Sequence, residues 1–160
     1  MQSAYAIAER LCGMVEDSGL EWRPSTGNNW MTTGQLLKHL TQSCGFAFRG
    51  FITGDWGMPD GMDAGDANLP PAEKLPSVES VAEAIHLLRE DRQAALEILA
   101  GCSEEELADK TVTAPWDPTE MVLGRRLLQM VEHLNQHKGQ LFYYLKLQRK
   151  PVGTADLWGM

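Results

Sequence analysis

The sequence has 160 residues, a length typical of one domain, and its 43% apolar and 22% charged residues are ordinary for a globular protein. The net charge of -8 argues against a general grip on nucleic acid or on an anionic membrane surface, since both need a basic face. No apolar run reaches the roughly 18 residues of a membrane-spanning helix. Three cysteines without a CxxC pair indicate reduced thiols and a cytoplasmic location.

The first helix is predicted over about residues 3–16, with Gly19 as its C-cap. Apolar residues recur at helical spacing in this segment. They are Tyr5, Ala8, Leu11, Cys12 and Val15.

The second helix is predicted over about residues 32–51. Thr32 and Gln35 have the spacing of a capping box, which satisfies free N–H groups at a helix start. His39 lies at the edge of the apolar stripe, in line with Phe46, and is therefore expected to face inward. Cys44 is predicted to be a small core residue rather than a nucleophile. The stripe itself consists of Leu36, Leu40, Cys44, Ala47 and Phe51.

The segment over residues 54–76 is rich in Gly, Pro and Asp and has no periodicity. A loop of this length is often a lid, a binding loop or an interface arm, and a mobile surface connection is the competing interpretation. Trp56 and Met58 favour a loop that packs on another part of the protein.

The third helix is predicted over about residues 77–100, with Ser77 as its cap. His86 neighbours the apolar stripe without occupying it, so we expect a boundary or surface histidine. Ser103 and Glu106 mark a short capped turn. The next residues, DKTVTAPWDP, are predicted to form a loop or a brief extended piece.

The fourth and longest helix is predicted over about residues 119–148, starting at Pro118-Thr119. One broad apolar stripe runs along it, and a second row of side chains lies on its inner edge. That row contains His133, His137, Gln140 and Tyr144, with Arg126 close to the same line. Gly139 in mid-helix predicts that a neighbouring helix passes close to this position. Leu157 and Trp158 are expected to plug one end of the bundle.

Four long amphipathic helices predict an all-α fold. The leading architecture is a four-helix bundle with a long loop between helices 2 and 3, formed by a single domain over residues 1–160.

The histidines carry the clearest chemical pattern. His133 and His137 are spaced as i and i+4, which places both imidazoles on one face of a helix, where one divalent metal can bind both. His39 would complete a three-histidine set if the second and fourth helices are neighbours. Two half-buried or surface histidines are the competing explanation.

Two runs of sequence extend this pattern. EHLNQHKGQLFYYLKLQRKPV and TTGQLLKHLTQS resemble the DinB/YfiT superfamily of metal-binding helical bundles. That superfamily carries a histidine on helix two and a His-x-x-x-His motif on the last long helix, followed by a Gly-Gln pair. The matching positions are His39, His133 and His137, with Gly139-Gln140 after them. The terminal PVGTADLWGM also resembles the tail of DinB-like members.

The resemblance implies a divalent metal, zinc or nickel, held by the three histidines, and a homodimer. It also implies a small-molecule substrate. The reaction would be that of an S-transferase using a low-molecular-weight thiol, or of a metal-dependent hydrolase. A non-catalytic metal-binding or dimerising bundle in stress response is the alternative. The superfamily's name refers to damage-inducible expression and implies no contact with DNA.

The remaining candidates are substrate-binding residues. Arg126 can receive an anionic substrate or thiol carboxylate; the alternatives are a surface arginine and a salt bridge. Gln140 and Tyr144 can line a pocket or merely edge the core. Glu132 points away from the histidines by about a quarter turn. The lack of an inward acid on this helix favours thiol or Lewis-acid chemistry over base-assisted hydrolysis, unless a loop carboxylate such as Asp55 or Asp117 reaches in. No catalytic residue is assigned beyond the metal ligands.

Overall fold

The structure is a computed structural model that describes residues 1–57 and 71–160. Most of the described residues lie in helices. Two short strands and two turns of 3-10 helix, at Asp17–Gly19 and Ala72–Lys74, complete the elements described below. The helices are α1 (Gln2–Cys12), α2 (Thr33–Leu40), α3 (Gly45–Thr53), α4 (Val81–Ala100), α5 (Glu104–Asp109), α6 (Leu123–Leu147) and α7 (Thr154–Trp158). The strands are β1 (Thr111–Ala114) and β2 (Asp117–Val122).

The core lies between the long helices. Helix α1 packs against α4 and α6, and α2 and α3 each pack against the same two helices. The predicted apolar stripe of α1 is buried at every position, and so is most of the stripe on α6. Complete burial of one leucine side chain contributes about 1.5–3 kcal/mol, so these stripes supply the main driving force for the arrangement. The almost completely buried leucines include Leu11, Leu36, Leu37, Leu40, Leu88, Leu123, Leu134 and Leu141.

The predicted second helix is in fact two helices. Helix α2 ends at Leu40 and α3 begins at Gly45, so the prediction of one continuous helix is wrong. The carboxylate of Asp91 on α4 accepts hydrogen bonds from the N–H groups of Cys44 and Gly45, at 3.1 and 2.9 Å. It also accepts one from the Tyr5 hydroxyl. These bonds satisfy the free N–H groups at the start of α3, and they come from a residue 46 or 47 positions away.

Gly45 allows α4 to approach the break this closely. A Cβ atom at Gly45 would lie 2.7 Å from Asp91 Oδ1 and 2.8 Å from the Asp91 carbonyl oxygen. Any larger residue would therefore push α4 away. Cys44 is fully buried next to it, as predicted.

Helix starts follow the capping pattern, with one shift. Thr32 and Gln35 form the predicted capping box at the start of α2. Helix α4 begins four residues later than predicted, because Ser80 rather than Ser77 accepts the hydrogen bond from the Glu83 N–H. Gly13, not Gly19, follows the last residue of α1.

The segment before α6, predicted as a loop or a brief extended piece, forms a β-hairpin, so the fold is predominantly rather than entirely helical. Strands β1 and β2 are antiparallel, with Thr111 opposite Val122 and Ala114 opposite Asp117. Pro118 lies inside β2 rather than at a helix start, and α6 begins at Leu123. Helix α5, which starts with the capping box predicted from Ser103 and Glu106, leads into this hairpin.

Part of the predicted 54–76 loop packs on the helices. Trp56 contacts Phe51 of α3, with ring centroids 4.9 Å apart. At the other end, the Gln35 amide donates to the carbonyl oxygens of Ala72 and Leu75, at 2.7 and 2.9 Å. Met58, the other residue used in that prediction, lies outside the described residues.

Two expectations about the fourth helix and the C-terminus need revision. A Cβ atom at Gly139 would meet no other described side chain or neighbouring backbone within 4 Å, so the predicted close approach is absent from this part of the chain. Leu157 of α7 packs against the core, but Trp158 is 66% exposed and does not plug it. Across residues 1–57 and 71–160, no helix combines the length and apolar content needed to span a bilayer.

Candidate metal centre

Three histidine rings meet between α2 and α6. His39 Nε2 and His133 Nε2 lie 3.1 Å apart. The ring centroid of His137 is 4.4 Å from that of His39 and 4.5 Å from that of His133. One nitrogen from each ring lies within 4.8 Å of the other two. Helices α2 and α6 are neighbours, and the three histidines predicted to act together therefore lie next to one another.

Local folding explains why these rings face each other. His39 is flanked by Leu36 and Leu40, both fully buried, so its ring lies at the edge of the core. Leu134 is fully buried between the two histidines of α6 and fixes the rotation of that helix. Because residues four apart share one helix face, His133 and His137 then point together towards α2.

The cluster has the donor chemistry and spacing of a metal site. Zinc binds imidazole nitrogen at about 2.0–2.1 Å, so two ligands of a tetrahedral ion lie about 3.3 Å apart. The 3.1 Å between the Nε2 atoms of His39 and His133 fits this spacing. Neutral imidazole suits zinc and nickel, and three protein ligands leave a coordination position open. The three histidines can therefore hold a divalent ion.

Burial keeps these rings neutral near pH 7. Burial, and then the charge of neighbouring histidines, lowers the pKa of His39 and of His133 to about 4. Burial also lowers the pKa of His137, although the hydrogen bond to Gln140 opposes that shift. A neutral ring keeps a nitrogen lone pair available to a metal ion.

A chain of hydrogen bonds links His137 to Gln140 and Tyr144. His137 Nδ1 lies 3.0 Å from Gln140 Oε1, an arrangement in which the ring N–H donates to the amide oxygen. The Gln140 amide donates in turn to the Tyr144 hydroxyl, at 3.3 Å, and that hydroxyl donates to the Met31 carbonyl oxygen, at 3.0 Å. This chain leaves His137 Nε2 as the ring's acceptor, and Tyr144 is only 2% exposed.

Arg126 lies inside the protein and contacts the hairpin. Its side chain is 1% exposed, and its guanidinium donates to Asp117 Oδ2 at 3.0 Å and to the Thr119 carbonyl oxygen at 2.6 Å. Hydrogen bonds from Thr119 and then from Arg126 lower the pKa of Asp117 to about 2, so this carboxyl group is ionised near pH 7. Among the described residues, Arg126 Nε has no hydrogen-bond partner.

A cavity of about 460 Å³ opens beside the histidines. Sequence reasoning placed Phe46 in line with His39, but it did not include Trp116, because a turn residue carries no periodic pattern. Met130 could have been found from its position one turn before His133. The described residues lining the cavity are His39, Gln42, Ser43, Phe46, Ala47, Trp116, Met130 and His133.

The carboxylates considered from the sequence are engaged elsewhere. Glu132 is exposed and pairs with Arg125 at 2.8 Å. Asp55 is exposed and pairs with Arg49. Asp117 pairs with Arg126. None of these three carboxylates is among the cavity-lining residues in ranges 1–57 and 71–160.

Comparison with known proteins identifies the family to which the chain belongs. A family model described as the DinB superfamily matches residues 2–141. The crystal structure of a DinB-like protein from Bacillus cereus ATCC 10987 superposes with a TM-score of 0.70, at 15% identity over 95% of this chain and 90% of that one. No curated protein matches the sequence significantly. The match over nearly the whole chain shows that this protein belongs to the DinB superfamily.

Proposed function

We propose that this protein binds a divalent metal ion, zinc or nickel, through His39, His133 and His137 and acts with it on a small molecule. The observation that carries the proposal is the position of the cluster. Two of the three rings, those of His39 and His133, form part of the wall of a 460 Å³ cavity. A ligand in that cavity therefore lies beside the metal-binding nitrogens. Helices α1, α2 with α3, α4 and α6 would form the bundle that holds the site.

The residues around the cluster have separate tasks. A bound zinc or nickel ion lowers the pKa of a coordinated water or thiol, so that hydroxide or thiolate is available near neutral pH. Gln140 engages His137 through Nδ1, which leaves Nε2 as the ring nitrogen available to a metal ion. Phe46 and Met130 give the adjoining space an apolar wall. A ligand that covers this wall would displace water from it, which would strengthen electrostatic interactions at the cluster.

Thiol transfer is the reaction that the described lining favours. Gln42 and Ser43 are its neutral polar members, and the described lining offers no carboxylate to serve as a general base for hydrolysis. In thiol transfer, the sulfur of a low-molecular-weight thiolate forms a bond to the electrophile. The leaving group departs with its electron pair, and the thiol proton passes to solvent.

A non-catalytic role is the second candidate, and the same lining motivates it. The described part of the wall contains no Asp, Glu, Lys, Cys or Tyr side chain, and its one hydroxyl, on Ser43, donates to the Leu40 carbonyl oxygen. In that case the metal would stabilise the packing of α2 on α6. The protein would act as a dimerising or ligand-sequestering bundle. Leu128, Tyr143 and Leu147, which are at least half exposed on α6, are candidates for a homodimer contact.

A thiol-transfer screen separates the two candidates. Tag-free protein, loaded with zinc or nickel, would be incubated with an alkyl halide and with each of several thiols, including cysteine, glutathione and coenzyme A. His137→Ala is the test variant. His86→Ala is its matched control, because His86 is exposed on α4 and its ring pairs with Glu90, one turn along the same helix.

Metal-dependent thiol consumption that His86→Ala retains and His137→Ala loses supports the enzyme. Protein that binds metal but consumes none of the thiols supports the non-catalytic role. Equal consumption in both variants contradicts the proposed role of the cluster.

A further inference from the structure

Two aromatic side chains form the wall of the cavity next to the histidines. Phe46, in the first turn of α3, is 47% exposed, and Trp116, in the turn of the hairpin, is 50% exposed. Both line the same cavity as His39 and His133. Large aromatic surfaces are costly to leave in contact with water, so this wall is suited to an apolar ligand.

A third ring holds this wall in place. Trp56 contacts Phe46 and Trp116 edge to face, with ring centroids 5.7 and 5.5 Å away. Trp56 itself lies against Gly50, where a Cβ atom would approach its ring to 2.3 Å. The absence of a side chain at Gly50 therefore lets the Trp56 ring sit directly on α3. Phe46 and Trp116 are thus positioned before any ligand binds, which reduces the ordering cost of binding.

The rest of the described lining is apolar or neutral. Ala47 and Met130 add apolar surface, and Gln42 and Ser43 are uncharged. The Ser43 hydroxyl already donates to the Leu40 carbonyl oxygen at 3.0 Å. No Lys, Arg, Asp or Glu belongs to the lining in the described ranges, so away from the metal-binding histidines a charged group of a ligand would find no oppositely charged side chain. The cavity volume of about 460 Å³ lies within the range of small-molecule pockets.

We propose that the substrate carries an aromatic ring, held against Phe46 and Trp116 while its reacting end faces the histidines. Phe46 and Trp116 are then specificity-determining residues. This inference rests on the proposed function, since it names the class of electrophile that the metal site would receive. Aromatic rings prefer offset or edge-to-face contacts with one another, which gives such a wall a preference for aromatic over saturated rings of equal size.

A matched pair of neutral probes tests this preference. Benzyl alcohol and cyclohexylmethanol have the same hydroxymethyl group and ring size, but only the first is aromatic. Each would be titrated into zinc-loaded and metal-free protein, with binding followed by the NMR shifts of the tryptophan indole N–H groups. We expect benzyl alcohol to bind about threefold to tenfold more tightly, which corresponds to the usual strength of aromatic contacts.

Leucine substitutions keep apolar volume while removing the rings. In Phe46→Leu/Trp116→Leu, the two alcohols should bind equally, and Phe46→Leu alone should reduce the preference. Zinc binding by each variant shows that the site is still folded. Trp158→Leu is the control, because Trp158 is 66% exposed on α7 and does not line the cavity. That variant should keep the full preference.

The outcomes separate this inference from the proposed function. If the protein binds zinc but binds the two alcohols equally, or does not bind benzyl alcohol, the aromatic site is wrong. The proposal of a metal site is not affected by either result. A preference that persists in the double variant also overturns the aromatic site. Protein that shows the preference but binds neither zinc nor nickel overturns the proposed function and supports the aromatic site.

Discussion

His39 and His133 are 94 positions apart in the sequence, yet their Nε2 atoms lie 3.1 Å from each other. The pKa of both rings is lowered to about 4, so both are neutral near pH 7. Two neutral imidazoles at this distance can share one hydrogen bond, or both can bind one ion. The contact joins α2 to α6 beside the cavity. The pKa of either histidine, and its ability to bind a metal ion, therefore depend on the packing of both helices.

Removal of the Gln140 side-chain amide should weaken metal binding without unfolding the protein. Gln140 Oε1 lies 3.0 Å from His137 Nδ1 and sets which ring nitrogen faces the cluster. Loss of such a partner typically costs 10–100-fold in metal affinity, so we expect Gln140→Leu to lose about that much in a chelator competition assay.

Asn135→Ala is the control for that measurement. Asn135 is exposed on the same helix, and its amide donates to the Val131 carbonyl oxygen of that helix. The control should bind metal as tightly as the wild type. Unchanged affinity in Gln140→Leu would show that Gln140 does not orient His137.

Acid should destabilise the metal-free protein through its histidines. The folded-state pKa of His39 and of His133 is about 4, below the ordinary value of 6.5. Between these values the unfolded chain binds more protons than the folded one. Stability from these groups is therefore fully present above pH 6.5 and is lost as the pH falls towards 4. The upper bound is about 1.4 kcal/mol per pH unit for each histidine, reduced by solvent at half-buried rings.

Urea unfolding at pH 7 and pH 5 measures this effect. His39→Leu/His133→Leu should lose less unfolding free energy between the two pH values than the wild type, and His86→Leu should behave like the wild type. Asp91, whose pKa burial raises, is present in all three proteins, so its contribution cancels. An equal loss in the wild type and the double variant would contradict the account.

Asp91 should be a major determinant of stability. Its carboxylate accepts hydrogen bonds from the Tyr5 hydroxyl and from the N–H groups of Cys44 and Gly45, all at buried positions. A buried donor left without a partner costs about 1–3 kcal/mol. We therefore expect Asp91→Ala to lower the free energy of urea unfolding by roughly 3 kcal/mol. Glu90→Ala, at the exposed neighbouring position, should change it by less than about 0.5 kcal/mol. A similar effect of both substitutions would argue against the network.

Two helix glycines should respond in opposite directions to alanine. A Cβ atom at Gly50 would lie 2.3 Å from the Trp56 ring, so Gly50→Ala should destabilise the protein by about 1–3 kcal/mol and change the tryptophan fluorescence. A Cβ atom at Gly139 has space among the described residues, so Gly139→Ala should stabilise α6 by up to about 1 kcal/mol. Thermal unfolding of the pair checks the signs, and destabilisation by Gly139→Ala would reveal a contact at that position.

The sequence was informative wherever a local pattern decides the structure. The capping box of Thr32 and Gln35 and the i, i+4 spacing of His133 and His137 follow from helix geometry alone. The inward edge position of His39 follows from the apolar stripe around it. The family resemblance added the expectation that these three residues act together.

Long-range contacts account for what the sequence did not reveal. The stripe from Leu36 to Phe51 continues without interruption across the break between α2 and α3. The break depends on Asp91, which lies more than 40 residues further along the chain. The hairpin was missed because its strands are short and mostly exposed, and because Pro118 also suits a helix start. As a result, Trp116 in its turn was not placed at the cavity.

The stoichiometry of metal binding tests the central claim most directly. Tag-free wild type, His39→Ala, His133→Ala, His137→Ala and the surface control His86→Ala would each be dialysed against zinc or nickel and measured by elemental analysis, with circular dichroism to verify folding. The account predicts about one ion per chain for the wild type and His86→Ala, and a loss of binding in the other three variants. A folded wild type that binds neither metal, or three cluster variants that bind as much as His86→Ala, would contradict it.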